Sequence, residues 1–490
     1  MPAGAGREPL DLTLRLRHAA VDLHAVAAAI ARGSRAPMTR REFAARFGAA
    51  AADIEAVVAW ARRAGVAVVQ VDRTRRSVHV RAAAGRLARI FRVARVRYRR
   101  DGEVWDGYDG TISVPRALAA SVTGVTGFDR QPGHAARPLA ATGSPARSVS
   151  FTPQGIARHY GFPRRADGSG QTIGVIALGG AVLRSDIAAF FEEMRLPRPQ
   201  VTVVGVAGRA GGHAPSGEVT GDVQTAGGLA PGARIVVYMA PNTERGFLEA
   251  VSHAVHDRRR APSVISISWG RNEMHWVRRT LRHFDDVLAE AAALGISVCC
   301  SSGDTGALAD RFDRRPRVCF PASSRYVIAC GGTSLARRHG LPVRERPWAN
   351  RLGASGGGTS AVFPRPAWQQ GVATGAGTPA RRRVPDVAAN ADPDSGYRVC
   401  FEGRWVVGAG TSASAPVWAG LLARVNQMRG TPAGLVTPLL YRRYRALVAG
   451  GAIRPIADRP GAGAPARWSV HTGLGVPGGA RLASALARPV

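Results

Sequence analysis

The sequence predicts an α/β protein whose larger part is a parallel sheet with helices on both faces, preceded by a small α+β domain. Three observations carry this. From about residue 151, short continuously apolar runs (TIGVIAL, RIVVYMA, SVISISWG, ISVCCSSG, YVIACGG) alternate with helical stretches (SDIAAFFEEM, GFLEAVSHAVHD, VRRTLRHFDDVLAEAAAL). That is the pattern of strands covered on both faces and joined by crossover helices. Before about residue 128 the runs LDLTLRLRH, VAVVQVD and SVHVRAA alternate apolar with polar residues and are interleaved with AAVDLHAVAAAIAR, TRREFAARFG and AAADIEAVVAWARRAG, which reads as a compact α+β unit. Finally, 490 residues exceed the usual size of one hydrophobic core.

The domains are therefore placed at 1–128 and 151–490. Between them lies DRQPGHAARPLAATGSPARS, rich in Pro, Gly, Ala and Ser and without periodicity, so residues 129–150 read as an exposed linker open to proteolysis. No run of eighteen apolar residues suggests a membrane span. The opening MPAGAGREPLDLTLRLRH lacks the apolar core of a secretory signal.

A formal net charge of +33 raises the question of a nucleic-acid partner. The cations are dispersed, however, and all are arginine; with Ala, Gly and Pro abundant, this is the composition that GC-rich coding produces whatever the function, and no specific nucleic-acid partner is expected. The five cysteines, Cys299, Cys300, Cys319, Cys330 and Cys400, are odd in number and lack metal-ligand spacing. They read as buried free thiols, with a bridge from Cys319 to Cys330 or Cys400 as the alternative.

Ligands of open parallel sheets collect at the strands' carboxyl ends. Trp269, Asp304 and the glycines after YVIAC fall there. In GAGTSASAPVWAGLLARVNQM, Ser412 follows a glycine turn at the mouth of an apolar helix, where free N–H groups and the positive helix end favour the negative charge of acyl transfer. The alternative is a helix cap made by Ser412 or Thr411, with which Pro416 is equally consistent. In SGEVTGDVQ, Glu218 and Asp222 stand four residues apart, on one helix face, and form either a proton-sharing acid/base pair or an ordinary solvated surface. Asp304 in SSGDTG is either a turn residue or, when protonated, a donor to an oxyanion. His213 lies in a glycine-rich loop out of register for a Ser/His/Asp triad.

Taken together these segments resemble the sedolisin family of serine-carboxyl peptidases and, within it, the kumamolisin-like branch. The resemblance runs through SISWG, SSGDTG, FPASSRYVIACGGTS, ERPWAN, SGGG, VPDVAANADPDSGY and GTSASAP in family order. It implies a subtilisin-like fold and an acid-acting endopeptidase made as a zymogen. The first domain would be an activation and inhibitory pro-domain, and the substrates proteins or peptides. It also implies Ser412 as nucleophile, Glu218 as general base, Asp222 as its proton-sharing partner and Asp304 as oxyanion donor. Secretion is a further family expectation.

Two backbone ledges for an extended substrate would be Ser266 to Gly270, including Trp269, and Ser355, Gly356 and Gly357 up to Gly358. Cys319 stands where the kumamolisin-like branch carries an aspartate, which leaves a preference for basic residues without its acid. The family's calcium loop is degraded: Pro455 and Ser469 occupy two aspartate positions, with Asp458 as the one acid nearby. No metal is therefore expected, no cofactor is needed for the chemistry, and Arg454 or Arg467 is expected to supply positive charge in the ion's place. A catalytically silent binding protein on the same scaffold is the other reading; the intact set of Ser412, Glu218, Asp222 and Asp304 argues against it.

Overall fold

A seven-residue run such as TIGVIAL exposes no polar edge to either face, and the strand it forms, Thr172–Leu178, is buried along its whole length. It stands at the centre of the main sheet. The computed structural model describes residues 6–18, 22–100, 103–128, 150–208, 216–308, 315–336, 343–370, 380–457 and 468–487. On one side of Thr172–Leu178 lie Arg234–Ala240 and then Val201–Gly205; on the other lie Val264–Ile267, Ser297–Ser301 and Ile328–Ala336. These six strands are mutually parallel, and Val387–Asn390 adds a further parallel strand to Ile328–Ala336. The sheet departs from the expected all-parallel form at Arg344–Pro347, which pairs antiparallel with Ile328–Ala336.

Helices cover both faces. Gly217–Leu229 and the 19-residue helix Thr411–Arg429 pack together, the second lying across the central strands. Glu244–His256 and Arg278–Ala293 pack against each other and on Arg234–Ala240 and Ser297–Ser301 respectively. Both helices of the first pair are almost wholly buried, so neither shows a polar stripe in sequence. The chain thus has the doubly covered, mainly parallel sheet expected of it, and its strands' carboxyl ends open on one edge.

The amino-terminal domain has its own antiparallel sheet, ordered Ala67–Asp72, Ser77–Ala83, Pro9–Leu16, Val122–Thr126. Its alternating strands turn one face onto a separate core containing Leu12, Leu14, Val78, Val80, Trp60, Leu87 and Phe91. The helices Leu23–Ala31 and Arg40–Phe47 behave differently. Their apolar residues Leu23, Val26, Ala27, Phe43 and Phe47 join the core of the large domain, not that of their own sheet. Thr39 and Glu42 fix the start of the second helix with a reciprocal capping box.

Polar contacts complete the junction. Glu290 of the Arg278–Ala293 helix, fully buried, pairs with Arg15 at 3.0 Å and Arg76 at 2.5 Å, and with His256 at 2.6 Å. Arg75 reaches Glu249 at 3.2 Å, and Arg40 donates to the carbonyls of Val255 and Pro262. Of the expected linker only Ser150 is among the described residues, so the processing region lies outside them, as do His213, Asp458 and Arg467. All five cysteines are free and buried; no bridge forms from Cys319 to Cys330 or Cys400.

Candidate active site

Four elements meet at the carboxyl edge of the sheet. The helix Thr411–Arg429 begins at Gly410, whose φ of +92° no side-chain-bearing residue adopts readily, and a Cβ there would stand 2.5 Å from Asp304 Oδ2. Ser412, the second residue of the helix, is therefore held beside the loop that follows Ser297–Ser301. Asp304 in that loop accepts from the Thr411 N–H and from Thr411 Oγ1, each at 2.8 Å and both on Oδ1. Gly303 N–H donates to Thr411 Oγ1 at 3.0 Å and closes the junction.

Glu218 and Asp222 project from the Gly217–Leu229 helix, which Ser216 caps through Val219 N–H. The solvated-face alternative does not describe them: every residue from Glu218 to Leu229 is buried. Burial, the Asp222 charge and Asp304 together push the Glu218 pKa well above the carboxylate range, against the pull of the Ser412 hydroxyl. Burial does the same to Asp222, against its hydrogen bond with Ser268. Two buried carboxyls on one helix face oppose each other's ionisation and titrate as a pair. Glu218 Oε1 and Asp222 Oδ2 are both buried without a hydrogen-bond partner.

Ser268 joins these parts. Its Oγ lies 2.8 Å from Asp222 Oδ1 and 3.1 Å from the Ser412 carbonyl oxygen, while the Ser412 hydroxyl donates to the Ser268 carbonyl at 3.3 Å. Among the described residues no histidine hydrogen-bonds Ser412, Glu218 or Asp222. The constellation is a hydroxyl at a helix mouth, a buried carboxyl pair whose ionisation is opposed, and a third carboxyl beside the hydroxyl's helix. It suits acyl transfer with a carboxylate as the base.

The family described as the pro-kumamolisin activation domain matches residues 6–131, and the subtilase family matches residues 204–443. Kumamolisin of Bacillus sp. (strain MN-32) is 37% identical, over 94% of this chain and 87% of that protein. The chain belongs to the sedolisin family of serine-carboxyl peptidases, in its kumamolisin-like branch. Sedolisin of Pseudomonas sp. (strain 101) is 28% identical over 82% of this chain and 73% of that protein. The solved Pseudomonas sedolisin, a serine-carboxyl proteinase in complex with pseudo-iodotyrostatin, superimposes with a TM-score of 0.62 at 26% identity, covering 70% of this chain and all of that one. This sedolisin is thus a serine peptidase with an activation pro-domain.

The expected ledges have a more restricted geometry in this sedolisin than the sequence suggested. Ser266 does not reach the cleft: it sits inside the sheet, hydrogen-bonded strands on both sides, with no exposure. Trp269 and Gly270 follow that strand; the Trp269 indole N–H is buried without a partner, and a Cβ at Gly270 would stand 3.0 Å from the Phe320 carbonyl. On the second ledge the N–H groups of Ser355, Gly356 and Gly357 already donate to the carbonyls of Trp348, Gly303 and Gly306. Gly356 and Gly357 are close-packing positions, since a Cβ would meet Ser302 O at 2.3 Å and Val470 O at 1.8 Å. Ser355 Oγ donates to His471 O at 2.6 Å and accepts from Gly332 N–H. Cys319 is buried with its Sγ against Gly303, next to Asp304.

Sequence reasoning missed the Ser268 hydroxyl. Its signal was present, a serine directly before Trp269 at a strand end, but the segment was read for its backbone alone.

Part of the family's calcium loop, with Asp458 and Arg467, lies outside the described residues. Pro455 and Ser469 bring no carboxylate, and among the described residues no cluster of three or more His, Cys, Asp or Glu could hold a metal. The acid that meets this segment, the fully buried Glu345, is already served by Tyr160, Thr333 and His159 and by Arg454 at 2.5 Å.

Proposed function

We propose that this sedolisin is an acid-acting endopeptidase in which Ser412 attacks the peptide carbonyl, Glu218 takes its proton, Asp222 shares a second proton with Glu218, and protonated Asp304 donates to the oxyanion. The observation that carries the reading is the burial of Glu218 and Asp222 beside Ser412 and Ser268, which gives the hydroxyl a carboxyl base. A carboxylic acid donor requires acid, and so does a carboxyl pair that must keep one proton. Action outside the cytosol, in an acidic setting, belongs to the same reading.

Residues 6–128 dock on the face formed by Glu244–His256 and Arg278–Ala293, and no described hydrogen bond joins them to Glu218, Asp222 or Ser412. The first domain blocks the cleft until a cut in the 129–150 region frees it, and that cleavage activates the enzyme. Acidification of the purified chain is expected to produce a cut between 129 and 150, followed by hydrolysis of casein. Ser412→Ala should stop both. Maturation of the Ser412→Ala protein at an undiminished rate, free of other proteases, would refute self-processing.

The same reading holds that stability does not depend on calcium, because Arg454 supplies the positive charge opposite Glu345. Thermal unfolding is expected to be unchanged by EDTA. A large fall that calcium restores would show that an ion is bound.

A further inference from the structure

We infer that Ser268 is a positioning residue that fixes where the carboxyl pair keeps its proton: on Asp222 Oδ1, directed at Ser268 Oγ, while the Ser268 hydroxyl hydrogen is committed to the carbonyl of Ser412. This rests on the reading of Glu218 and Asp222 as the base pair. It follows from counting hydrogens.

In a helix the carbonyl of residue 412 accepts from the N–H of residue 416, but residue 416 is proline and has none. The Ser412 carbonyl is buried at the helix start and needs another donor. Ser268 Oγ, 3.1 Å away, supplies it. A hydroxyl has one hydrogen, so the second short contact of Ser268 Oγ, 2.8 Å to Asp222 Oδ1, needs its hydrogen from the carboxyl.

A second observation agrees. Asp222 Oδ2 is buried with no hydrogen-bond partner, which is costly for an ionised carboxylate and mild for the carbonyl oxygen of a neutral acid. Burial of Asp222 opposes its ionisation as well.

The chain of contacts is then Asp222 Oδ1–H to Ser268 Oγ, and Ser268 Oγ–H to Ser412 O. It ties the acid on one helix to the backbone of the nucleophile's helix through a strand end. It also leaves Glu218 as the member of the pair able to accept the Ser412 proton, because in the resting state the proton the two share sits on Asp222. Pro416, which in sequence reads as a cap feature, is what frees the carbonyl that orients Ser268.

The test uses the full chain carrying Ser412→Ala, which keeps the residue 412 carbonyl. At neutral pH its infrared spectrum should contain a protonated carboxyl band that disappears with Asp222→Asn. The band should move to higher frequency with Ser268→Ala, as the acid loses its acceptor. Absence of the band, or a band indifferent to Ser268→Ala, would overturn the proposal.

In the otherwise wild-type enzyme Ser268→Ala should lower kcat about tenfold, the scale of one lost hydrogen bond, with KM little changed and the pH profile displaced. Ser268→Thr, which keeps the hydroxyl, should restore most of the turnover. Wild-type kcat and profile in Ser268→Ala would equally refute it. The infrared result does not depend on Ser412 being the nucleophile, whereas undiminished turnover in Ser412→Ala would instead sink the catalytic reading itself.

Discussion

Lowering the pH from about 7 to about 4 is expected to weaken the grip of the pro-domain on the peptidase domain by two orders of magnitude or more. The junction buries an unusual set of histidines. His18 of the pro-domain and His283 of the Arg278–Ala293 helix are each pushed down to about 4, in both cases first by burial and then by arginines, Arg76 for His18 and Arg15 for His283. Glu290 and Asp286 face His18, and Asp286 faces His283, with the opposite pull, and do not compensate. Gly124 packs so closely on His283 that a Cβ would stand 1.7 Å from its Cε1, so the ring is desolvated by the pro-domain itself. His79, beside Glu249, Arg245 and Arg75, and His256, beside Glu290, Arg76 and Arg15, are also held below their ordinary values, burial being the first cause in each.

The sign is unambiguous for these groups. A histidine whose pKa is depressed in the docked state favours docking above about 6.5 and loses that contribution as pH falls toward the docked value. Each histidine held near 4 would weaken docking by up to about 150-fold at pH 4, an upper bound because His283 also packs against its own domain. His24 works in the opposite direction, since its bond to Asp286 raises its pKa. Glu290 sets no part of this window: burial pushes it up, but Arg76, Arg15 and His256 hold it well below the carboxylate range.

The measurement is gel filtration of Ser412→Ala protein carrying a site-specific protease site between 129 and 150, nicked at neutral pH and then acidified. Release should begin below about pH 6.5 and shift to lower pH in His283→Gln. Release that starts only below about pH 4, unchanged by that substitution, would place the trigger on carboxylates instead.

Replacing Asp304 by Ala should cost about a hundred- to a thousandfold in turnover, the effect of deleting one oxyanion donor. On the proposed reading Asp304, which accepts from Thr411 on Oδ1, donates to the oxyanion only while protonated, so activity should fall as rising pH ionises it. Asp304→Asn separates this role from mere support of the Thr411 turn. Its carbonyl can accept from Thr411 while its amide donates at any pH, so it should retain more activity than Asp304→Ala and extend the alkaline limb. Turnover of both variants across pH on one peptide decides the matter, with thermal unfolding to confirm that the helix start survives. Equal, wild-type-like activity in both would remove Asp304 from the mechanism.

What the sequence determined by itself was whatever depends on local period and chain order. Continuous apolar strands alternating with helices specify a covered parallel sheet, and a glycine turn before an apolar helix sets Ser412 at a helix mouth whatever surrounds it. The i, i+4 spacing of Glu218 and Asp222 likewise placed both on one face.

The tertiary structure decided which faces are dry. Only the packing of Gly217–Leu229 under Thr411–Arg429 shows that the carboxyl pair is buried, where its ionisation is opposed, because a helix buried all round carries no stripe to announce it. Only the three-dimensional meeting of Ser268, Asp222 and Ser412, residues separated by 46 and 144 positions from Ser268, reveals a shared hydroxyl. Burial also sorted the ledges, taking Ser266 into the sheet, and it divided the pro-domain between two cores. Chemistry at this site depends on desolvation and hydrogen-bond geometry between distant segments, quantities that a linear period does not encode.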